Sequence, residues 1–417
     1  MSDRKATARP VGTDLEDERL MTRTGIQGAI ATVVDRVRTG DLGILPVLLG
    51  VALIWTVFQI INPVFLSSRN LSNILLQMSS GGVIALGMVC ILLVGEIDLS
   101  VGSVSGLSAA IVAVLSVRSG FPVVPSIFLT ILAGVGIGAF YSVIYNRFGV
   151  PSFVITLGGL LGFYGLQLST LGVSGTINLP DTHILSRFAM FMFVPAWLSY
   201  VLIFLLGAVW ALSHITHARR RAKAGLSARS TVGILIQAAL MIAALSAAAW
   251  YLNRDRGIGW MPVFFFALLI VVDYMLKRTK WGRSVYAVGG SREAARRAGI
   301  NVKRIYLSVF ITCSSFAAIG GMLAAGRLQA ASQQSGVGDV NLNAIAAAVI
   351  GGTSLFGGRG RAISALLGVL VIQSIASGLN LMSLNSAYRY VVTGGVLLLA
   401  VILDAVSNST RATHGRA

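Results

Sequence analysis

Two carboxylates, Glu96 and Asp98, stand in the stretch GEIDLSVGS at 95–103 between long apolar runs. Acids at or near membrane depth bind or relay ions and protons by default, because an ionised group in hydrocarbon needs a partner. The same residues also read as a capped turn, in which Asp98 or Ser100 caps the following helix and Gly95 and Gly102 relieve the backbone at the bend. A second polar concentration, KRTKWGRSVYAVGGSREAARRAGINVKR at 277–304, holds nine Lys or Arg and one acid, Glu293. That much charge cannot lie in hydrocarbon, and the positive-inside bias places it on the cytoplasmic face. Within it Gly289 and Gly290 make a turn, Ser291 can cap a helix start, Glu293 suits the positive end of the dipole, and Gly299 can close the helix as C′. The expectation is a two-turn helix whose small Ala294, Ala295 and Ala298 let another protein come close, with Arg292, Arg296 and Arg297 around it.

Other chemistries find little support. There is no GxxxxGK[ST]; GGTSLFGGRG at 351–360 is Gly-rich but lacks the Lys-Ser/Thr that follows a phosphate loop, so ATP is expected on a partner and no cofactor on this chain. The four histidines, His183, His214, His217 and His414, lie in or beside loops without ligand spacing, and Cys90 and Cys313 sit in apolar runs without CxxC, so no metal is expected. A net charge of +18 would suggest nucleic acid in a soluble domain. Here the basic residues cluster in short loops between apolar runs, and the aromatic-interleaved patches of nucleic-acid binders are missing.

The elements that position these residues follow from composition. With 55% hydrophobic residues, 12% charged and a mean hydropathy of +0.80 over 417 residues, the chain reads as an all-α polytopic membrane protein. A span needs about 20 apolar residues, which gives about twelve transmembrane helices, within a range of about 10–12. They are expected at about 44–61, 124–145, 152–172, 193–212, 231–252, 260–276, 305–325, 341–356, 362–380 and 388–404, with two more on either side of 95–103. The run from Ile74 to Leu115 would be about 60 Å long as one helix, about twice the hydrocarbon thickness, so it must turn at 95–103. The transmembrane body is expected at 41–405, between a cytoplasmic tail at 1–40 and another at 406–417. Strongly basic loops at 213–230 and 277–304 alternate with the weakly charged 253–257, which puts both termini in the cytoplasm. The polar loop 173–192 then faces outward, where a soluble partner can touch. In 152–172 the small residues point to close helix packing, while Phe153, Thr156, Tyr164 and Gln167 could line a polar path. The segment 341–356 is so interrupted by glycine that a broken or re-entrant piece buried in protein is expected.

Three stretches carry a family resemblance: GRSVYAVGGSREAARRAGI at 282–300, IDLSVGS at 97–103, and the run in which Ile345, Ala346, Ala347, Ile350, Gly351, Gly352, Ser354, Leu355, Gly357 and Gly358 match. They resemble the membrane permease subunit of ATP-binding-cassette sugar importers of the ribose, arabinose, galactose and xylose class. The resemblance implies that Gly289, Gly290, Glu293, Ala294, Ala295 and Gly299 form a loop that docks into an ABC ATPase subunit. It places Asp98, Ser100, Phe153, Thr156, Asn343 and Thr353 in the translocation path or the signatures. Many members have Gly where this chain has Glu96 and acids where it has Asn341 and Asn343. A two-span insertion at about 213–257, with a basic loop and YLNRDRG, resembles the xylose-type members. The implied protein is no enzyme but a multi-pass permease of the cell inner membrane. It would work as a homodimer in the lipid bilayer, with a periplasmic sugar-binding protein, and import a monosaccharide, D-xylose. The competing readings are an ion-coupled secondary transporter using Glu96, Asp98 or Asp273, and an intramembrane enzyme.

Overall fold

The computed structural model describes residues 45–224, 228, 230–383 and isolated positions between 387 and 398. The expected tails at 1–40 and 406–417, and most of the expected span 388–404, lie outside the described residues. Among the described residues nine helices are long and apolar enough to cross a membrane, and two apolar helices are shorter. Among the described residues the chain divides into two compact units, a smaller one at 195–254 and a larger one that joins the residues from 45 to 194 with those after 254.

In the larger unit, α1 (Leu45–Ile61) packs on the last described long helix, and α2 (Ser68–Leu93) is the helix around which the others gather. Ser67 caps α2 by accepting from Asn70 N–H at 3.3 Å. The expected turn follows at 94–100, with Gly95 at φ +80°, a value that favours glycine. Beyond it, α3 (Val101–Ala113) ends in a π turn to Arg118, α4 (Val123–Phe148) closes on Gly149 in αL, and α5 (Ser152–Leu171) leads to a short strand, β1 (Thr176–Asn178). A one-turn helix, α6 (Ile184–Ser186), ends that connection.

The smaller unit is a helical hairpin of α7 (Ala196–Lys223) and α8 (Thr231–Leu252). Ser230 caps α8, accepting from Gly233 N–H at 3.1 Å, and at the other end Asn253 donates to Ser199 Oγ at 3.2 Å. The stretch expected as an insertion, about 213–257, falls largely in this unit, which begins at 195 because the hairpin takes the whole of α7 as one arm. The basic stretch expected as a loop at 213–230 instead continues α7 as far as Lys223, since Ala, Arg and Lys all favour helix.

The larger unit resumes with α9 (Trp260–Arg278), α10 (Lys280–Gly290), α11 (Arg292–Arg297), α12 (Val302–Leu328), β2 (Ala330–Ser332), α13 (Val340–Ile350) and α14 (Ile363–Leu381). Its core is α12 laid against α2, α3 and α4. The approach is close enough that a Cβ on Gly321 would lie 2.0 Å from the Ser105 carbonyl oxygen, and one on Gly138 would lie 2.5 Å from Ile311 Cα. Helices in lipid gain little from hydrophobic exclusion, so small residues that let backbones touch supply the packing. In α5 the close packing expected from its small residues is found at Gly159, where a Cβ would lie 1.8 Å from the Tyr141 hydroxyl oxygen, while Gly158, Gly162 and Gly165 meet nothing of this chain within 4 Å.

At 11 residues, α13 is about 17 Å long and cannot cross about 30 Å of hydrocarbon. Ala344, Ala346, Ala347, Ala348 and Val349 are buried, so the segment is an interior half-helix, cut short by Gly351 and Gly352 as the sequence suggests. The loop before it, 333–339, is fixed by Gln167 of α5, whose Nε2 donates to the carbonyls of Ser332 at 2.9 Å and Ser335 at 2.8 Å. β2 pairs antiparallel with β1, Ile177 opposite Ala331.

Candidate functional site

The short helix α11 is built by local rules. Ser291 accepts from Ala294 N–H at 3.2 Å, Gly299 adopts φ +82°, and Ile300 N–H reaches back to the Ala295 carbonyl at 3.0 Å, which is a Schellman ending. Glu293 pairs with Arg296 at 2.9 Å on the exposed surface, where such a pair contributes little. Ala294, Ala298, Gly290 and Gly299 are exposed. Two expectations are corrected. Ala295 is buried in the chain's own core at 3% exposure, so its methyl group is not presented to a partner. Gly289 and Gly290 are not a turn but the last helical residues of α10, and a Cβ on Gly289 would lie 1.8 Å from the Leu93 carbonyl oxygen. That glycine lets α10 press against the end of α2; the chain turns at Ser291 instead.

The 94–100 turn is held from several sides. Asp98 is fully buried, and its Oδ1 accepts from Ser100 N–H at 2.7 Å and from Ser100 Oγ at 2.6 Å. Tyr141 donates to Ser100 Oγ at 2.6 Å, Thr156 Oγ1 accepts from Leu99 N–H at 3.1 Å, and Ser152 Oγ accepts from Ile97 N–H at 3.4 Å. Burial pushes the Asp98 carboxyl above the usual carboxylate range, while the bonds from Ser100 and the nearby Cys313 thiol pull it back. Neither Asp98 nor Ser100 makes a side-chain cap on α3. The acceptor is Asn341 Oδ1, which takes Gly102 N–H at 2.5 Å across 239 positions of sequence. Asp273, a candidate for ion coupling, pairs with Lys277 one turn along α9 at 2.8 Å, partly exposed.

A cavity of about 440 Å³ opens among α2, α3, α12, α14 and the 334–344 segment. Its polar lining comes mainly from Gln77, Arg327, Asp339, Asn343, Gln373 and Asn380. Asn343 donates to Asp339 Oδ2 at 2.9 Å, while Asn343 Oδ1 and Arg327 Nε have no hydrogen-bond partner among the described residues. Amides and a guanidinium with spare capacity can bind hydroxyl groups in place of water. Of the path candidates, Asn343 lines this cavity. Asp98, Ser100 and Thr156 build the turn instead, and Thr353 is buried in the 351–362 connection. Phe153 is 53% exposed on α5 and does not reach the cavity. Sequence reasoning missed Gln77, Arg327 and Gln373; a cation in the last turn of an otherwise apolar span was the available signal for Arg327.

The model of a family described as the permease component of branched-chain amino acid transport systems matches residues 70–401, and the chain belongs to that family. It is 36% identical over 350 residues to the xylose transport system permease protein XylH of Escherichia coli K12, covering 82% of this chain and 86% of that protein. The corresponding protein of Haemophilus influenzae is 34% identical over 377 residues, 88% and 98% of the two chains. The ribose import permease protein RbsC of Bacillus subtilis is 32% identical over 356 residues, 85% and 91%. No solved structure matches the chain. The resemblance carried by the three motifs therefore holds: this is a multi-pass membrane permease component, not an enzyme.

Proposed function

We propose that the chain is the membrane-spanning subunit of a binding-protein-dependent importer for a monosaccharide, D-xylose, driven by ATP hydrolysed on a separate subunit. The observation that carries this is the match over more than four fifths of the chain to xylose transport permeases, with ribose permeases next. The cavity supports it, since its amides suit a neutral polyhydroxylated ligand. In this reading the 277–304 segment and both termini are cytoplasmic in the inner membrane, because the basic residues gather there. A homodimer docks two ATPase subunits through the exposed face of α11, Glu293, Ala294 and Ala298, and a periplasmic sugar-binding protein delivers the sugar on the opposite side. Closure of the ATPase pair pushes on α11, and the rigid helices beside it change which side the cavity faces.

The test is uptake of labelled D-xylose by cells expressing the chain with its partner subunits, with ribose and arabinose as competitors. ATP depletion is expected to abolish uptake, and a protonophore to leave it intact while ATP is maintained. Uptake that follows the ion gradient and survives ATP depletion would replace this reading with a secondary carrier; ribose outcompeting xylose would keep the importer and change the sugar.

A further inference from the structure

Glu96 belongs neither to the exposed face of α11 nor to the cavity lining, yet a line of contacts connects it to both. Arg292, the first residue of α11, holds its guanidinium carbon 5.4 Å from the centre of the Tyr306 ring and 5.8 Å from that of Tyr145. Both distances are within reach of cation–π attraction. The two rings lie 4.6 Å apart, and Tyr145 donates its hydroxyl hydrogen to Glu96 Oε1. Glu96 begins the turn that Ser152 and Thr156 fix at Ile97 and Leu99. The turn runs into α3, where Gly102 N–H binds Asn341 and Ser105 lines the cavity.

We propose that Arg292, Tyr306, Tyr145 and Glu96 form a relay through which the position of α11 sets the position of the 95–103 turn, and with it the cavity wall. The two ends reinforce each other. A cation over the Tyr145 ring draws electron density from it and makes its hydroxyl a stronger donor, and the carboxylate on the hydroxyl enriches the ring that the cation sees. Withdrawing α11 removes the cation, weakens the hydroxyl's hold on Glu96 and frees the start of α3 to shift. These are positioning residues, and the proposal rests on the importer reading.

The experiment uses the assembled importer in liposomes with binding protein and ATP, and reads sugar moved per ATP hydrolysed, normalised to the ATPase bound. Arg292→Ala and Tyr145→Phe are each expected to lower that ratio about tenfold while ATP hydrolysis continues, with the double variant no lower than the worse single. Glu96→Gln keeps an acceptor oxygen for the hydroxyl and is expected to lose less than Tyr145→Phe. Should Tyr145→Phe fail to reach the membrane, Glu96→Gln with Arg292→Ala completes the same cycle. Losses that multiply in the double variant, or a wild-type ratio in the singles, overturn the relay and leave the importer reading standing. A wild-type assembly that moves no sugar with ATP overturns the importer reading, and the relay with it.

Discussion

The best 18-residue stretch of α2 is 83% buried and that of α7 17%, although both pass as spans on apolar content. The difference lies in the small and polar residues. α2 carries Ser79, Ser80, Gly81, Gly82 and Gly87, which let neighbours approach, whereas α7 presents Phe204, Leu205, Val209 and Leu212 on its exposed surface. Lipid is as apolar as leucine, so a leucine-rich face gains nothing by seeking protein, and a glycine-rich one gains dispersion contacts where a neighbour comes up to it, as along α2 but not along most of α5. The helices that wall the cavity, α2, α3, α12 and α14, are rich in small residues, because polar groups and half-helices need protein around them.

Four experiments can break or sharpen that contrast. The largest effect is expected for Gly321→Val in the α12–α3 contact, where the first added carbon meets backbone at 2.0 Å. Overpacking of this kind costs about 1–3 kcal/mol or more, and the variant should be lost from the folded fraction in detergent size-exclusion profiles. Next is Asp98→Ala, which leaves the buried Ser100 N–H without its acceptor at a cost of about 1–3 kcal/mol and should lower the thermal midpoint more than Glu96→Ala, because Glu96 is only partly buried. An equal response at the two acids would contradict the ranking.

A third experiment separates the two faces of α11. Ala295→Trp forces bulk into the chain's own core and should destabilise the isolated chain. Ala298→Trp should leave that stability unchanged and weaken co-purification of the ATPase by up to about two powers of ten, the equivalent of 1–3 kcal/mol. If Ala298→Trp retains the ATPase as well as wild type does, the exposed face is not a docking surface. The smallest effect is expected on removing the hairpin. Val194 N–H already bonds to the Ile258 carbonyl at 2.8 Å and Phe193 bridges Gly259, so a short linker in place of 196–253 closes a gap the larger unit holds together itself. Membrane insertion and sugar uptake should both survive; loss of insertion would show that the hairpin organises the bundle.

What the sequence made legible was what neighbours along the chain decide. The turn at 95–103, the Ser291 cap, the Gly299 ending and the half-helix at 340–350 all follow from nearby residue types and length. Contacts between distant segments were not legible. Asn341 serves Gly102, Gln167 holds Ser332 and Ser335, and Gly289 is glycine because Leu93 is behind it. The alanines of α11 show the same limit, since spacing puts three small residues on a short helix but only the packing beneath it decides that Ala295 turns inward. Likewise the cavity joins residues from five separate segments, and its lining is not visible in any one of them.

The central claim is that transport here is driven by ATP hydrolysed on a partner docked to this chain. Its most direct test is D-xylose accumulation in liposomes holding the chain with its ATPase and binding protein, with and without ATP on the ATPase side, beside liposomes holding the chain alone under a proton or sodium gradient. The account predicts accumulation in the first preparation only when ATP is present, and none in the second. Accumulation by the chain alone on an ion gradient would contradict it.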